Sequence, residues 1–258
     1  MKTALFFDVD GTLFDNESQS IPKNTIKMIQ NLAKDDRYIL GLATGRSGEQ
    51  LDAISDIKDL FKVRILINGA VAYQDDLFVY GNPLPKDACE RVLEFANRID
   101  LGIGFIGKDR HVITKLDDVV RRSLKDYQMP IPMIDPLFYL NNDVYQIWIF
   151  GKSQALFDQF KSKFPEIKLF PWHKDGADLV SKNVSKGEAI SQIKSLIGAD
   201  KVIVFGDGEN DVEMIEMADI GVAMGNSKSQ TLKSKATFVT KHIAEDGLYE
   251  AALKLNLL

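Results

Sequence analysis

Cysteine is almost absent from this chain: Cys89 is the single one among 258 residues. That excludes an intrachain disulfide, and a thiolate metal centre has no second sulfur to draw on. Histidine is nearly as scarce, and His111, His173 and His242 lie far apart without the spacing of a zinc site. Surplus positive charge is missing too. Lys and Arg total 32 against 37 Asp and Glu, a formal charge of −5, and no basic run exceeds Arg121-Arg122. Nucleic-acid binding driven by backbone phosphates is disfavoured by that balance. Long apolar runs are lacking as well. Val202-Ile203-Val204-Phe205 falls far short of the ~20 residues that cross a bilayer, and the run from Met1 to Phe7 meets Asp8 before it reaches the length of a signal-peptide core. The expectation is a soluble cytoplasmic protein with neither a membrane nor a nucleic acid as partner.

What is present is the composition of an ordinary globular protein, with 45% hydrophobic and 27% charged residues. The length suits one large domain or two modest ones, and the absence of a fixed-period repeat argues against a solenoid. Short β-branched and aromatic runs near 4–8, 38–43, 64–67, 201–206 and 220–223 read as strands. Ile26, Ile29 and Leu32, then Leu51, Ile54 and Ile57, fall at helical spacing between them. That alternation is a parallel sheet covered by helices on both faces. A hairpin is expected at 70–80 around Asp75-Asp76. From the turn cluster Gly81-Asn82-Pro83 the pattern becomes irregular until about Asn183, with helices expected near 85–97, 117–126 and 153–164 and strands near 101–106, 144–150 and 166–170. The fold class is therefore α/β: a Rossmann-like parallel core of residues 1–81 and 184–258, interrupted by an inserted α+β domain at 82–183. The core resumes at Ser185-Lys186-Gly187-Glu188, a capping box that opens a helix with Ala189, Ile190, Ile193, Leu196 and Ile197 on one face.

Three predicted strands end in chemistry-bearing residues. The first runs into Asp8-Val9-Asp10-Gly11-Thr12-Leu13, with two carboxylates at i and i+2 on one face. An EF-hand loop is excluded, because its glycine belongs at the sixth position. The second runs into Ala43-Thr44-Gly45-Arg46, followed by a Ser47–Gln50 capping box whose free N–H groups suit an anion. The third runs into Gly206-Asp207-Gly208-Glu209-Asn210-Asp211. A dinucleotide fingerprint fails there, since the third glycine is missing and acids would repel a pyrophosphate. Singly these are an acidic turn, a helix cap and an acidic loop. Jointly they put Asp8, Thr44 and Asp207 at the carboxyl ends of parallel strands, where open α/β sheets place ligands. Four converging acids, Asp8, Asp10, Asp207 and Asp211, call for a cation. Their all-oxygen donor set favours Mg²⁺.

At this point the sequence resembles the haloacid dehalogenase (HAD) superfamily of phosphatases, in its Cof-type branch with a large α/β cap. The resemblance spans nearly the whole chain, through DVDGTL at 8–13, ATGR at 43–46, Lys186 and GDGEND at 206–211. Secondary matches are Asn68-Gly69-Ala70, Ala223-Met224-Gly225-Asn226 and Glu245-Asp246-Gly247, with Leu248 in place of the more usual valine. It implies an Mg²⁺-dependent phosphatase acting on small phosphomonoesters, such as sugar phosphates, pyridoxal phosphate or FMN-like metabolites, through an aspartyl phosphate. Asp8 would be the nucleophile and Asp10 the general acid and base. Val9, Thr44, Gly45, Lys186 and Asn210 would bind phosphate. The metal would sit on Asp8, the Asp10 carbonyl and Asp207, with Asp211 in its outer shell. The inserted domain would be the cap that sets substrate specificity. A phosphomutase and a non-catalytic phosphate-ligand sensor are the alternatives. No oligomer is dictated, and a monomer is compatible.

Outside those motifs, the three histidines default to surface or core positions, and Tyr145, Trp148 and Phe150 to packing. The loop-like stretches Lys108-Asp109-Arg110-His111 and Trp172-His173-Lys174 are candidates to face a substrate from the inserted domain.

Overall fold

The computed structural model describes residues 2–127, 129–151, 153–171 and 176–258, so the stretch Trp172-His173-Lys174 lies outside the described residues. The chain divides into two compact units, one formed by the segments up to Tyr80 and from Ser185 to Leu258, the other by Gly81–Val184.

In chain order the first unit opens with β1 (Thr3–Phe7), β2 (Tyr38–Ala43), β3 (Val63–Leu66), β4 (Val71–Gln74) and β5 (Leu77–Gly81). The second unit contains β6 (Ile103–Ile106), β7 (His111–Ile113), β8 (Met133–Ile134), β9 (Gln146–Phe150), β10 (Ile167–Pro171) and β11 (Gly176–Ser181). The chain then returns to the first unit with β12 (Lys201–Gly206), β13 (Ile220–Ala223) and β14 (Phe238–Val239).

The first unit is an eight-stranded sheet in the order β14-β13-β12-β1-β2-β3-β4-β5. Pairing is parallel from β14 through to β3, and β3–β4 is antiparallel. Parallel strands buried on both faces read as continuous apolar runs, which is why β1 and β12 carry so few polar residues. Side chains alternate across the sheet. Ala4, Phe6, Val202 and Val204 pack with Ala189, Ile190, Met214, Ile215 and Leu232 of the helices Lys186–Ile193, Val212–Met217 and Gln230–Lys235. The opposite set includes Phe7 stacked on Phe205, with ring centroids 4.9 Å apart. Helices Lys23–Leu32 and Gly247–Lys254 bury Met28, Ile29, Leu32, Leu248 and Ala251. The turn of the β4–β5 hairpin puts Asp75 and Asp76 at φ of 46° and 66°, the left-handed pair that a tight two-residue hairpin requires.

The second unit is a six-stranded sheet, β10-β11-β9-β6-β7-β8, antiparallel except for β7–β8. One face, carrying Phe105, Ile147, Ile149 and Leu179, packs on Val92, Phe157 and Phe160 from the helices Lys86–Arg98 and Gln154–Lys163.

Two expectations of local structure need correction. The segment holding Leu51, Ile54 and Ile57 forms 3-10 turns at Gly48–Ile54 and Lys58–Leu60, not an α-helix, although the Ser47–Gln50 capping box is there. Leu196 is exposed, because the helix from Lys186 stops at Ile193 and the turns that follow, leading to Gly198 at φ 69°, carry Leu196 off the apolar face.

No helix among the described residues is long and apolar enough to cross a membrane.

Candidate active site

Phe7 is in register with Leu42 on one side and Phe205 on the other. The chain therefore leaves β1, β2 and β12 at adjacent points of one sheet edge, bringing Asp8, Thr44 and Asp207 side by side. β1 is also where the connections reverse direction across the sheet, the crevice in which open α/β folds bind ligands.

Lys186 lies at the centre of this edge. Its side chain is fully buried, and its Nζ donates to Oδ1 of Asp8 at 2.8 Å and to Oδ1 of Asp211 at 2.6 Å. Ser185 caps the helix that carries it, accepting from the Glu188 N–H. The other oxygen of Asp211 accepts the N–H groups of Asp207 and Gly208, both at 2.9 Å, so Asp211 ties the loop to Lys186. Asp207 completes the group, and one oxygen from each of Asp8, Asp207 and Asp211 lies within 4.8 Å of the others.

Three carboxylates against one ammonium leave a double negative charge. Two like charges ~4 Å apart repel by ~4 kcal/mol at an effective dielectric of ~20. Burial, reinforced by Asp211, pushes the Asp8 carboxyl up to about 7, and burial with Asp8 and Asp211 pushes Asp207 to about 8. Burial pulls the Lys186 ammonium the other way, but Asp211 and Asp8 outweigh it and hold its pKa above the usual lysine value. A divalent cation would restore neutrality, and hard oxygen donors suit one. The cradle is tight: Gly11 sits at φ 74°, and a Cβ there would lie 2.2 Å from Asp207 Oδ2. Asn226 closes the other side, its Nδ2 donating to the Gly11 carbonyl at 2.8 Å while its Oδ1 accepts the Ile243 N–H at 3.0 Å.

These shifts have a thermodynamic consequence. Each acid binds its proton more tightly in the folded than in the unfolded chain, because the folded pKa lies above the usual 3.8. The resulting stabilisation is complete below about pH 4 and is lost as pH rises through about 7 for Asp8 and about 8 for Asp207. A divalent cation bound to these acids would take the place of those protons. The rise in melting temperature on adding saturating Mg²⁺ should therefore be larger at pH 8 than at pH 5.5. Equal shifts at both would contradict a cation bound to these acids.

The Asp10 side chain lies outside this cluster, though close enough for its charge to bear on Asp8 and Asp207. Both of its oxygens are taken by the guanidinium of Arg46, at 2.8 Å each, and Arg46 also donates to the Gln50 carbonyl at 2.7 Å. Thr44 is buried, with its Oγ1 accepting the Arg46 N–H. The Val9 carbonyl takes the N–H groups of Thr12, Leu13 and Phe14, which turns the acidic loop back over the strand end. Asn210 donates from Nδ2 to Oδ1 of Asn68 at 2.9 Å. Arg46, Asn68 and Asn226 thus belong to the site, although the sequence reading assigned them no role. Their signal was there, in the ATGR, Asn68-Gly69-Ala70 and Gly225-Asn226 matches.

The remaining candidates have local partners. Burial pushes the Cys89 thiol up to about 12, so it is inert as a nucleophile. His242 accepts the Ala244 N–H at its Nδ1 and caps a turn. Trp148 lies edge-on to His111 at 5.0 Å and to Phe150 at 6.3 Å. Lys108 pairs with Asp109, and Arg110 lies over the Phe138 ring.

Comparison with known proteins points one way. Residues 5–251 match the family model for haloacid dehalogenase-like hydrolases. YkrA of Bacillus subtilis is 32% identical over 257 residues, covering 98% of either chain. YitU of the same organism, a 5-amino-6-(5-phospho-D-ribitylamino)uracil phosphatase, is 26% identical over 264 residues and 93% of either chain. The solved structure of the HAD subclass IIB sugar phosphatase BT4131 superposes with a TM-score of 0.89 at 27% identity, over the full length of both.

Proposed function

The chain belongs to the haloacid dehalogenase-like hydrolase family and is a phosphatase, and from there we propose that it hydrolyses small phosphomonoesters through an aspartyl phosphate on Asp8, with Mg²⁺ as cofactor. The observation that carries this reading is the buried Asp8–Lys186–Asp211 chain beside Asp207 at the ends of three parallel strands.

In the first step an oxygen of Asp8 forms a bond to phosphorus as the ester P–O bond breaks, and Asp10 gives its proton to the departing alkoxide. Water then attacks the acyl phosphate, Asp10 takes its proton, and orthophosphate leaves with Asp8 regenerated. Lys186 holds one oxygen of Asp8 and so fixes the carboxylate plane for in-line attack. Thr44, the Gly45 and Val9 N–H groups, Asn210 and Lys186 donate to the phosphoryl oxygens as charge builds on them. The Asp8 and Asp207 carboxylates and the Asp10 carbonyl would hold Mg²⁺, with Asp211 behind them. When bound, the ion offsets the repulsion between an anionic nucleophile and an anionic ester. The unit Gly81–Val184 would act as the cap that selects the substrate.

Arg46 has a defined part in this scheme. Its fork fixes the orientation of the Asp10 carboxyl, and when Asp10 carries a proton one oxygen remains on Arg46 while the other serves the leaving group. A lysine keeps the charge but not the fork. Arg46→Lys is expected to lower kcat by roughly tenfold or more while KM changes little, since general acid–base transfer contributes about 10²–10⁴. A variant with unchanged kcat would separate Arg46 from proton transfer.

The decisive test is phosphate release over a broad panel of phosphorylated metabolites with Mg²⁺, ranked by kcat/KM. Sugar phosphates, pyridoxal phosphate, FMN and the ribitylaminouracil phosphate that YitU accepts by name belong on that panel. Silence across it would overturn the reading, and conversion of a hexose 1-phosphate to its 6-phosphate without free phosphate would replace it with a mutase.

A further inference from the structure

Between β3 and β4 the chain makes a turn that the Asn68-Gly69 pair announces but whose first residue, Ile67, does not. Ile67, Asn68 and Gly69 are all left-handed, with φ of 55°, 56° and 97°. Positive φ is tolerated by Asn and Gly but is an outlier for a β-branched residue such as isoleucine. Ile67 and Asn68 are also buried, so neither is a loop tip shaped by solvent. Strained backbone of this kind persists only where its surroundings hold it.

The surroundings are the three phosphate-binding segments. The Ile67 N–H donates to the Arg46 carbonyl and the Asn68 N–H to the Thr44 carbonyl, both at 3.0 Å, stitching the turn to the Thr44–Arg46 loop. Asn68 Oδ1 lies 3.0 Å from where a Gly45 Cβ would be, directly against that loop. On the other side a Cβ on Gly69 would lie 2.1 Å from the Ser185 carbonyl oxygen and 2.8 Å from the Lys186 nitrogen, so the turn abuts the start of the Lys186 helix. The Asn68 Oδ1 accepts from Asn210 Nδ2 at 2.9 Å. An amide NH₂ carries two hydrogens. One of those on Asn210 is committed to Asn68, which aims the second.

We propose that Asn68 is a positioning residue for the phosphate site: its carboxamide, presented by the left-handed turn, fixes the Asn210 carboxamide against Gly45, while its backbone N–H holds the Thr44 carbonyl. This rests on the assignment of Asn210, Thr44 and Gly45 as phosphate ligands. Substitution separates it from the plainer explanation that Asn is there only because it tolerates positive φ. Glycine tolerates that conformation better still, and lacks the carboxamide.

Asn68→Gly is therefore expected to melt within a few degrees of wild type, yet to lose roughly tenfold in kcat/KM and in affinity for inorganic phosphate measured calorimetrically with Mg²⁺. Asn210→Ala should show a similar loss, and the double variant no more than the larger single one, because Asn68 acts through Asn210. Wild-type affinity and kcat/KM in Asn68→Gly, or losses that multiply in the double variant, would overturn the proposal. Should Asn68→Gly fail to fold, Asn68→Ala also removes the accepting oxygen, at a modest cost in positive φ. It should weaken phosphate by a similar factor, and unchanged affinity there counts against the proposal equally. A wild type that hydrolyses no ester defeats the phosphatase reading alone, with phosphate affinity still deciding the role of Asn68. A wild type that binds no phosphate defeats both.

Discussion

Asp8→Asn is expected to abolish phosphate release, by about 10⁴-fold or more, in a protein that folds as well as the original. The substitution is isosteric, and an amide oxygen does not form an acyl phosphate, so the covalent route is closed while the shape is kept. The stability side of the expectation is equally specific. Lys186 keeps Asp211 at 2.6 Å as a partner, so no buried cation is orphaned. The net charge among the three acids and Lys186 falls from two negatives to one, removing the repulsion that burial and Asp211 impose on Asp8. Metal-free Asp8→Asn should therefore melt at or above the wild-type temperature at pH 8 and depend less on pH between 4 and 8. Added Mg²⁺ should stabilise it less. A site whose loss of function accompanies unchanged or improved stability is one built for chemistry, against the interest of the fold. Residual turnover within tenfold of wild type would mean that another group attacks phosphorus. Unchanged activity with an unchanged pH profile of melting would remove Asp8 from the site altogether.

Much of this arrangement is readable in the sequence because the parallel strands are short apolar runs ending abruptly in polar residues. Phe6-Phe7 before Asp8, Leu42-Ala43 before Thr44 and Phe205-Gly206 before Asp207 mark the sheet edge without reference to any contact. The pairing of Lys186 with Asp8 spans 178 positions and has no local signature, so it rests on the resemblance and then on the fold. Asp10 and Asp8 share a face by spacing, yet the structure gives them different partners, Arg46 and Lys186. Alternation along a strand says nothing about which distant cation arrives. In the second unit β11 escapes sequence reading although it lies between β9 and β10. Its Asp178 is buried against Gln146 at 2.9 Å, and a polar residue mid-strand breaks the apolar pattern that identifies the others. At Ile67–Gly69 the Asn-Gly pair marks a turn, but the left-handed Ile67 is hidden, since isoleucine is a strand residue by propensity and the positive φ goes with its N–H bond to the Arg46 carbonyl and the approach of Gly69 to Ser185.

Replacing Lys186 by methionine is expected to be the most damaging single change for the fold. The side chain is fully buried, and its removal leaves Asp8 and Asp211 facing one another without the ammonium between them. Breaking a buried ion pair from one side costs about 3–5 kcal/mol, which in a chain of this size lowers the melting temperature by about 10 °C. The dependence on pH identifies the cause. Lys186 has a pKa raised above its usual 10.5, so its own contribution to stability is constant below that value and does not change across pH 5–8. What changes is Asp8, protonated at pH 5 and increasingly ionised as pH passes about 7. The loss of stability in Lys186→Met should accordingly be small at pH 5 and grow towards pH 8. Mg²⁺ at pH 8 should recover part of it by supplying the missing positive charge. Activity should not return with stability, because a cation held by the carboxylates does not replace the ammonium proposed to donate to the phosphoryl oxygens. Thermal melts at pH 5 and 8, with and without Mg²⁺, beside phosphate-release rates, read all of these together. A destabilisation independent of pH would assign Lys186 to packing alone, and recovery of turnover by Mg²⁺ would remove it from the phosphate site.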